Sequence, residues 1–244
     1  MAGAMNALAG GGTFFSFPAL LAAGIPPVTA NASNTVALWP ASLSSAWVYR
    51  KELQKHRSWV ISLTIIAAIG GVAGGLLLLA VSNSAFMQMV PWLLLLATAL
   101  FGFSKQISAL VIRVKSRMGI AHTDDKPHSP GGLAFQFLVT VYGGFFGAGQ
   151  GILTLAALSI QGVENVQELN ALKNWISGVT YTVSALTFIV AGAINWPYTI
   201  LMVVTATLGG FAGAHIAKYL PAIWLKRLVI TVGSLLTIIY FFKT

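Results

Sequence analysis

The sequence contains no cysteine, which excludes disulfides, thiolate metal sites and iron–sulfur clusters. Charged residues are also scarce: they make up 8% of the 244 residues, whereas a soluble domain carries about 25%. With 57% hydrophobic residues and a mean hydropathy of +0.81, the chain cannot cover a water-facing surface. This composition predicts an all-α polytopic membrane protein with almost nothing outside the bilayer.

Acidic side chains are few, and none is predicted at membrane depth. This argues against an intramembrane proton relay or cation site and against catalysis by paired acids. Three histidines lie in polar loops without metal-ligand spacing, so we expect no catalytic residues, no cofactor and no metal site. The residues concerned are Glu52, Asp124, Asp125, Glu164 and Glu168, and His56, His122 and His128.

The net charge of +9 comes from basic residues in short loops between apolar segments. That placement indicates membrane topology and attraction to anionic lipid headgroups, so the bilayer, not a nucleic acid, is the expected partner. Residues 1–24 lack the basic start and cleavage site of a signal peptide and are therefore interpreted as mature structure.

The chain consists of two sequence-related halves. We predict a first transmembrane repeat at 1–112, a basic cytoplasmic linker at 113–130 and a second repeat at 131–244, together forming one integral membrane domain. Four separated identities share one ungapped offset of 139 residues: Ala9-Gly10 with Ala148-Gly149, Asn31-Ala32 with Asn170-Ala171, Ser45-Ala46 with Ser184-Ala185, and Gly70-Gly71 with Gly209-Gly210.

A glycine cluster interrupts the first apolar segment of each half, at Gly10–Gly12 and at Gly149–Gly151. Broken backbone at membrane depth is tolerated only where it is buried in protein or lines a cavity. Each half is therefore predicted to hold one Gly-broken helix, re-entrant or discontinuous, plus three transmembrane spans. If the broken segments cross, the halves are parallel. If they enter and leave on one side, the halves are inverted repeats and the basic loops share the cytoplasmic side, as the positive-inside rule favours.

The polar residues in the apolar segments are neutral or positive. A broken helix adds free N–H groups and the positive end of its dipole, and together these suit an anion with several acceptor oxygens. The predicted substrate-binding residues are Gly10, Gly11, Gly12, Thr13, Asn31, Ser33, Asn34, Gly149, Gln150, Gly151, Asn170, Lys173 and Asn174.

The glycines, the asparagines and Lys173 also have purely structural interpretations. Small residues in regular spacing allow close helix packing, which is favoured for the glycines of 70–75 and 209–213. The asparagines are equally suited to capping helices. Lys173 lies near the start of its span, where its side chain could reach the interface. Packing or interfacial roles are favoured for four further residues: Trp39, Trp175, Lys105 and His215.

Two stretches of the first half, 6–20 with its Gly-Gly-Gly-Thr-Phe-Phe-Ser-Phe-Pro run and 24–35, resemble the sulfite exporter TauE/SafE family of membrane transporters. Gly147–Gly151 and Leu172–Trp175 resemble that family's second repeat. The resemblance covers nearly the whole chain. It implies a multi-pass permease of the bacterial inner membrane that exports sulfur-containing oxyanions such as sulfite or organosulfonates.

The expected function is therefore a secondary carrier or facilitator for a small oxyanion, bound between the two Gly-broken segments. A carrier for a different small anion is one alternative. A membrane structural or assembly protein, whose polar cluster only pairs helices, is another. A cation channel would need acidic pore residues that the sequence does not supply. A second copy of the chain is a further candidate partner.

Overall fold

A computed structural model describes residues 12–48, 50–54, 57–104, 106–107, 109–110, 113, 130–161, 163, 165–217 and 222–243. Gly10, Gly11, Lys105 and all of the 113–130 linker except its two terminal residues lie outside this part. Within it the protein is helical apart from turns, as predicted. The helices are α1 Thr13–Ala22, α2 Pro27–Val48, α3 Arg50–Leu53, α4 Arg57–Ala80, α5 Asn83–Gly102, α6 Pro130–Phe145, α7 Gln150–Ile160, α8 Val166–Val190, α9 Trp196–Ala217 and α10 Ala222–Lys243.

Two of these helices contain segments long and apolar enough to cross a membrane by length and composition, Trp59–Ala80 and Asn83–Gly102. Shorter apolar stretches occur at Thr13–Ala22, Gly131–Phe145 and Gln150–Ile160. The 25 residues of α8 extend about 37 Å, which also exceeds the hydrocarbon thickness of a bilayer. The α8 helix is less apolar because it carries the polar residues of the interior.

Side-chain contacts fix the relative directions of the helices. The α4 and α8 helices run parallel, since Trp175 contacts Thr64 and Ser184 contacts Gly71 further along both helices. The α6 helix is parallel to them. In contrast, α2 and α8 are antiparallel: Trp39 Nε1 donates to Thr182 Oγ1 at 2.8 Å. The same helices meet again where Ala46, later in α2, packs against Gly178, earlier in α8.

The repeat is also visible in the helix boundaries. Corresponding helices α2 and α8 run antiparallel, as do α5 and α10, which meet at Trp92–Phe241 and at Thr98–Gly233. The contacts between helices follow the same correspondence. The α8 helix packs on α4, and its counterpart α2 packs on α9, which is the counterpart of α4. Three pairs of helix starts are 139 residues apart: Pro27 and Val166, Arg57 and Trp196, Asn83 and Ala222. The placement of the two halves in a membrane stays a prediction.

The bundle has two ends, and we call the one that carries Arg50 and Arg57 the basic end. At the basic end α2 stops and α4, α6 and α8 begin. At the opposite end α2, α5 and α9 begin. Two contacts hold those starts together: Val28 N donates to Asn83 Oδ1 at 2.9 Å, and Asn195 N donates to Ser33 Oγ at 2.9 Å.

Helices α6 and α7 form a hairpin whose base is at the basic end. The connecting residues 146–149, the hairpin tip, include two glycines with positive φ, Gly147 at 80° and Gly149 at 78°, a conformation that side chains disfavour. At the base, Gln161 Nε2 lies 3.4 Å from Gly132 O, so the chain returns to where α6 began. With 16 and 11 residues, the two helices extend only about 24 and 16 Å.

Helix α1 reaches the same depth from the other direction. It runs antiparallel to α2 and leads from the interior to the opposite end, so its N-terminus faces the N-terminus of α7 across the hairpin tip. An aromatic core holds this arrangement. Phe17 makes edge-to-face contacts with Phe146 of the tip at 5.8 Å and with Phe86 of α5 at 6.2 Å. Such pairs contribute about 0.5–1.5 kcal/mol beyond their buried area.

Candidate functional site

Where α1 begins, three buried polar side chains surround the backbone of Gly12. We call these residues the first-half cluster: Gly12, Thr13, Ser16 and Asn34. Ser16 Oγ lies 2.9 Å from Gly12 O and also contacts Asn34 Oδ1. Asn34 Nδ2 donates to Thr13 Oγ1 at 3.2 Å. The asparagine from α2 thus binds the first described turn of α1.

Asn31 connects α2 to the hairpin. Its Nδ2 donates to Phe145 O, the last carbonyl of α6, at 2.8 Å, which caps that helix at the point where the chain turns. Its Oδ1 is buried without a hydrogen-bond partner. Asn31 therefore fixes the tip through one atom and presents an unused acceptor through the other.

Two tyrosines hold the tip from either side. Tyr142 OH donates to Ala148 O at 2.6 Å and so closes the turn on itself. The Tyr181 side chain of α8 lies beside Thr13. Its hydroxyl also lies 3.0 Å from where a Cβ on residue 147 would stand. Tyr181 consequently joins the first-half cluster to the hairpin tip, and any side chain at position 147 would displace it.

On the far side of the tip lies the second-half cluster: Gly149, Gln150, Gly151, Asn170 and Lys173. Gly149 is the N-cap of α7 and supplies no side chain. A Cβ on residue 151 would lie 3.6 Å from Lys173 Cδ, so the lysine side chain passes the first turn of α7. Lys173 Nζ lies 3.5 Å from Asn170 Oδ1, and within the described chain it forms no ion pair.

The interior of the hairpin contains polar atoms that lack partners. Gln150 lies against Gly143, and with the Gln161–Gly132 contact this places Gln136, Thr154 and Gln150 along the facing sides of α6 and α7. Their amide and hydroxyl groups are at most 2% exposed and form no hydrogen bond among the described residues. Each such group costs about 1–3 kcal/mol if left unpaired, so water or a polar ligand is expected here.

The structure brings together most of the predicted site residues that it describes. Ser33 does not join them, because it lies on another face of α2 and accepts from Asn195 N at the start of α9. Asn174 has no described contact with either cluster. Gly10 and Gly11 are outside the described residues. Trp39 and Trp175 each donate Nε1 to a threonine of a neighbouring helix, so both pack helices together as predicted.

Sequence reasoning missed several residues around the tip: Gln136, Tyr142, Thr180 and Tyr181. Gln136 and Tyr142 are polar residues in the largely apolar α6, and Thr180 and Tyr181 are neighbours in the more polar α8. The sequence does not distinguish such residues from those that only bond their own backbone, as Thr187 does. One available signal was the alignment of Gln136 with Gly143 and of Gln150 with Thr154 at helical spacing, which places each pair on one helix face.

The two clusters together define a chemical preference. The N-terminus of α7, amide and hydroxyl donors of the two clusters and one lysine surround the tip, and no described carboxylate lies with them. Such a set favours an anion over a cation. Many membrane transporters bind their substrates between discontinuous helices near the middle of the bilayer.

Comparison with known proteins is consistent with that class. A sequence profile of the family described as sulfite exporter TauE/SafE matches residues 1–240, so the chain belongs to this family. It is 26% identical to a "probable membrane transporter protein" of Haemophilus influenzae over 96% of this chain and 88% of the relative. It is 28% identical to "probable membrane transporter protein ORF9" of a Sinorhizobium species over 98% and 87%.

A third relative, "probable membrane transporter protein YfcA" of Escherichia coli, is 24% identical over 97% of this chain and 84% of its own. No solved structure gives a significant match. The chain is thus a membrane transporter of the TauE/SafE family, and that membership implies a carrier rather than an enzyme. The names of these relatives specify no substrate.

Proposed function

We propose that the protein carries a small sulfur-containing oxyanion, such as sulfite or an organosulfonate, out of the cell across the bacterial inner membrane. The anion binds at the hairpin tip between the N-termini of α1 and α7. Lys173, Gln150 and backbone N–H groups of α7 bind it from one side, and Thr13 with Asn34 from the other.

The observation that carries this proposal is the unpaired lysine beside a helix N-terminus. Lys173 passes the first turn of α7 at Gly151 and forms no ion pair among the described residues. Gln150, the first residue of the same helix, is 2% exposed and has both amide atoms without a partner. An oxyanion at this point would bind the ammonium group, the side-chain amide and the backbone N–H group of Gly151.

The arrangement in the membrane follows from the helix directions. We infer that the α6–α7 hairpin is re-entrant from the cytoplasm and that the two halves are inverted, with the basic end inside. Support comes from the antiparallel α2–α8 pair and from the Gln161–Gly132 contact at the hairpin base. The positive-inside rule assigns the end with Arg50 and Arg57 to the cytoplasm.

Export needs no coupling ion in this scheme. Lys173 is seven residues into α8, about 10 Å from the basic end, so a cytoplasmic anion reaches it first. A membrane potential that is negative inside moves a monovalent anion outward with about 2.3 kcal/mol per 100 mV. Rocking of one half against the other around the tip would expose the site to each side in turn.

Substitution of Lys173 tests the site. Lys173→Ala should weaken binding of sulfite to the purified protein about tenfold or more, because a hydrogen bond to a charged group contributes about 1.5–3 kcal/mol. Lys173→Arg, which keeps the charge, should retain part of the affinity. Titration calorimetry measures both. The matched control is Lys243→Ala, which removes a lysine in the exposed last turn of α10. Unchanged affinity in Lys173→Ala would remove this residue from the site.

Flux measurements test the transport function itself. The expected result in proteoliposomes is saturable movement of sulfite or of an alkylsulfonate. The movement should be faster when the potential is negative on the side that the basic end faces. Sulfate, thiosulfate, phosphate and nitrate form the comparison panel. If nitrate or phosphate alone moves, the protein carries a different anion. If none of the six moves saturably, the anion-carrier proposal fails and a structural role in the membrane is favoured.

A further inference from the structure

A cavity lies at the basic end, outside the first-half and second-half clusters. Its volume is about 660 Å³, and it opens between the short α3 helix, the start of α4 and Trp175 of α8. Neither Lys173 nor the hairpin tip lines it. The residues that do are Arg50, Leu53, Gln54, Arg57, Val60, Ile61 and Trp175.

The cavity's charge is positive and largely unused. Arg57 is exposed and has no hydrogen bond or ion pair among the described residues. Arg50 is exposed as well: its Nη1 donates to Trp47 O at 3.1 Å and its guanidinium lies 4.8 Å from the Trp47 ring, which leaves its other donors available. Glu52 lies between them in sequence but does not line the cavity and has a partner of its own.

Trp175 contributes a wall and no hydrogen bond, because its Nε1 already donates to Thr64 Oγ1 at 2.7 Å. Leu53, Val60 and Ile61 complete an apolar lining beneath the two arginines. The cavity is therefore amphipathic, because two arginines and several hydrocarbon side chains line it together. A small hydrated oxyanion has no use for that apolar lining.

The apolar lining continues along the outside of α4. Ile61, Ile65 and Ile69 follow at intervals of four residues and are 55%, 56% and 58% exposed. They form one stripe that begins in the cavity and extends for about 12 Å along the helix toward the bilayer centre. The stripe gives an acyl chain a surface that starts where the arginines end. Trp47, 68% exposed beside Arg50, marks the headgroup level at which tryptophan concentrates.

From these contacts we infer a binding site for an anionic phospholipid at the basic end. Arg50 and Arg57 bind the phosphate of the headgroup, and one acyl chain lies along Ile61, Ile65 and Ile69. Phosphate is recognised by arginine through paired N–H donors, and a basic pocket at the cytoplasmic membrane surface is suited to such lipids. The site is separate from the anion site at the hairpin tip.

Thermal unfolding of the purified full chain in detergent tests the inference. Phosphatidylglycerol added to the micelles should raise the midpoint by several degrees, since a ligand bound only by the folded state stabilises it. Phosphatidylcholine, which has the same acyl chains but no net charge, should not. Arg50→Gln with Arg57→Gln should abolish the shift, and Lys243→Gln, which removes a basic residue at the other end, should keep it.

Further arms separate the possible sources of the effect. Inorganic phosphate should give no shift, and Ile65→Ser, at an exposed position, should weaken the effect of phosphatidylglycerol without lowering the midpoint of the lipid-free protein. Lys173→Ala should retain the full shift, so the outcome is independent of the anion site. An equal shift with phosphatidylcholine, an equal shift with phosphate, or an unchanged shift in the double arginine variant would each overturn the inference.

Discussion

At the scale of single residues, the interior around the hairpin tip is defined by polar groups that the fold leaves without partners. Thr154 and Gln136 are fully buried, and their hydroxyl and amide groups bond to nothing within the described chain. Other buried hydroxyls do not share this property: Thr237 Oγ1 donates to Gly233 O at 2.7 Å. We therefore expect a structural role for Thr237 and a role in binding for Thr154.

Replacing Thr154 by valine should therefore lower the rate of transport without lowering the stability of the protein. Valine has nearly the shape of threonine, so removing an unpaired buried hydroxyl should leave the unfolding midpoint unchanged or raise it. Anion flux should fall several-fold, because the hydroxyl binds water or the anion at the site. Thr237→Val, which removes a paired hydroxyl, is the control and should keep its flux. Normal flux in Thr154→Val would show that the hydroxyl takes no part in transport.

At the scale of helices, glycines decide how closely α4 approaches the hairpin. A Cβ on residue 74 would lie 2.1 Å from Val141 O and 2.8 Å from Phe145 N, both backbone atoms of α6. One on residue 71 would lie 2.5 Å from Val183 of α8. These are packing glycines, the interpretation that their spacing favours, and they set the position of α6 and hence of the tip.

Gly74→Ala should destabilise the protein, because backbone atoms cannot move aside as a side chain can. Overpacking of this kind costs about 1–3 kcal/mol, which lowers the unfolding midpoint of a domain of this size by several degrees. Thermal unfolding in detergent measures the change. Gly131→Ala provides the control, since no atom lies within 4 Å of its added Cβ. A midpoint for Gly74→Ala equal to that of Gly131→Ala would contradict this close contact.

At the scale of the whole molecule, the helix pairs α2 and α8, and α5 and α10, which correspond in the predicted repeat, run in opposite directions. The turn after α1 and the turn before α8 occupy corresponding positions in the repeat, at opposite ends of the bundle. An inverted pair of halves therefore requires that these turns face different sides of the membrane. The absence of cysteine makes this requirement testable, because any introduced thiol is the only one in the chain.

Single cysteines at Ala23, Gln167 and Ala191, all exposed positions, should report the topology. On intact cells a membrane-impermeant maleimide should label Ala23→Cys and Ala191→Cys, which lie at the end opposite the arginines. Gln167→Cys should react only after permeabilisation. Labelling of Ala23→Cys and Gln167→Cys from the same side would mean that the halves are not inverted.

The sequence by itself determined the class of protein and led to a prediction for the chemistry of the site. Low charge and high hydropathy require a lipid environment. The scarcity of acidic residues predicts an interior that binds an anion, and the 139-residue offset predicts two related halves. These are properties of composition and spacing, which need no coordinates. They also led to the prediction that Asn34, Gln150 and Lys173 belong to the site, since polar residues are costly in apolar helices.

Only the tertiary structure decided how these residues meet. Ser33 and Asn34 are neighbours in sequence, yet helical geometry turns one to the start of α9 and the other to α1. Tyr181 joins Thr13 to the hairpin tip across three helices, and no local pattern contains that contact. The physical reason is that hydrophobic spacing specifies which face of a helix is buried, whereas the partner across that face depends on how whole helices pack.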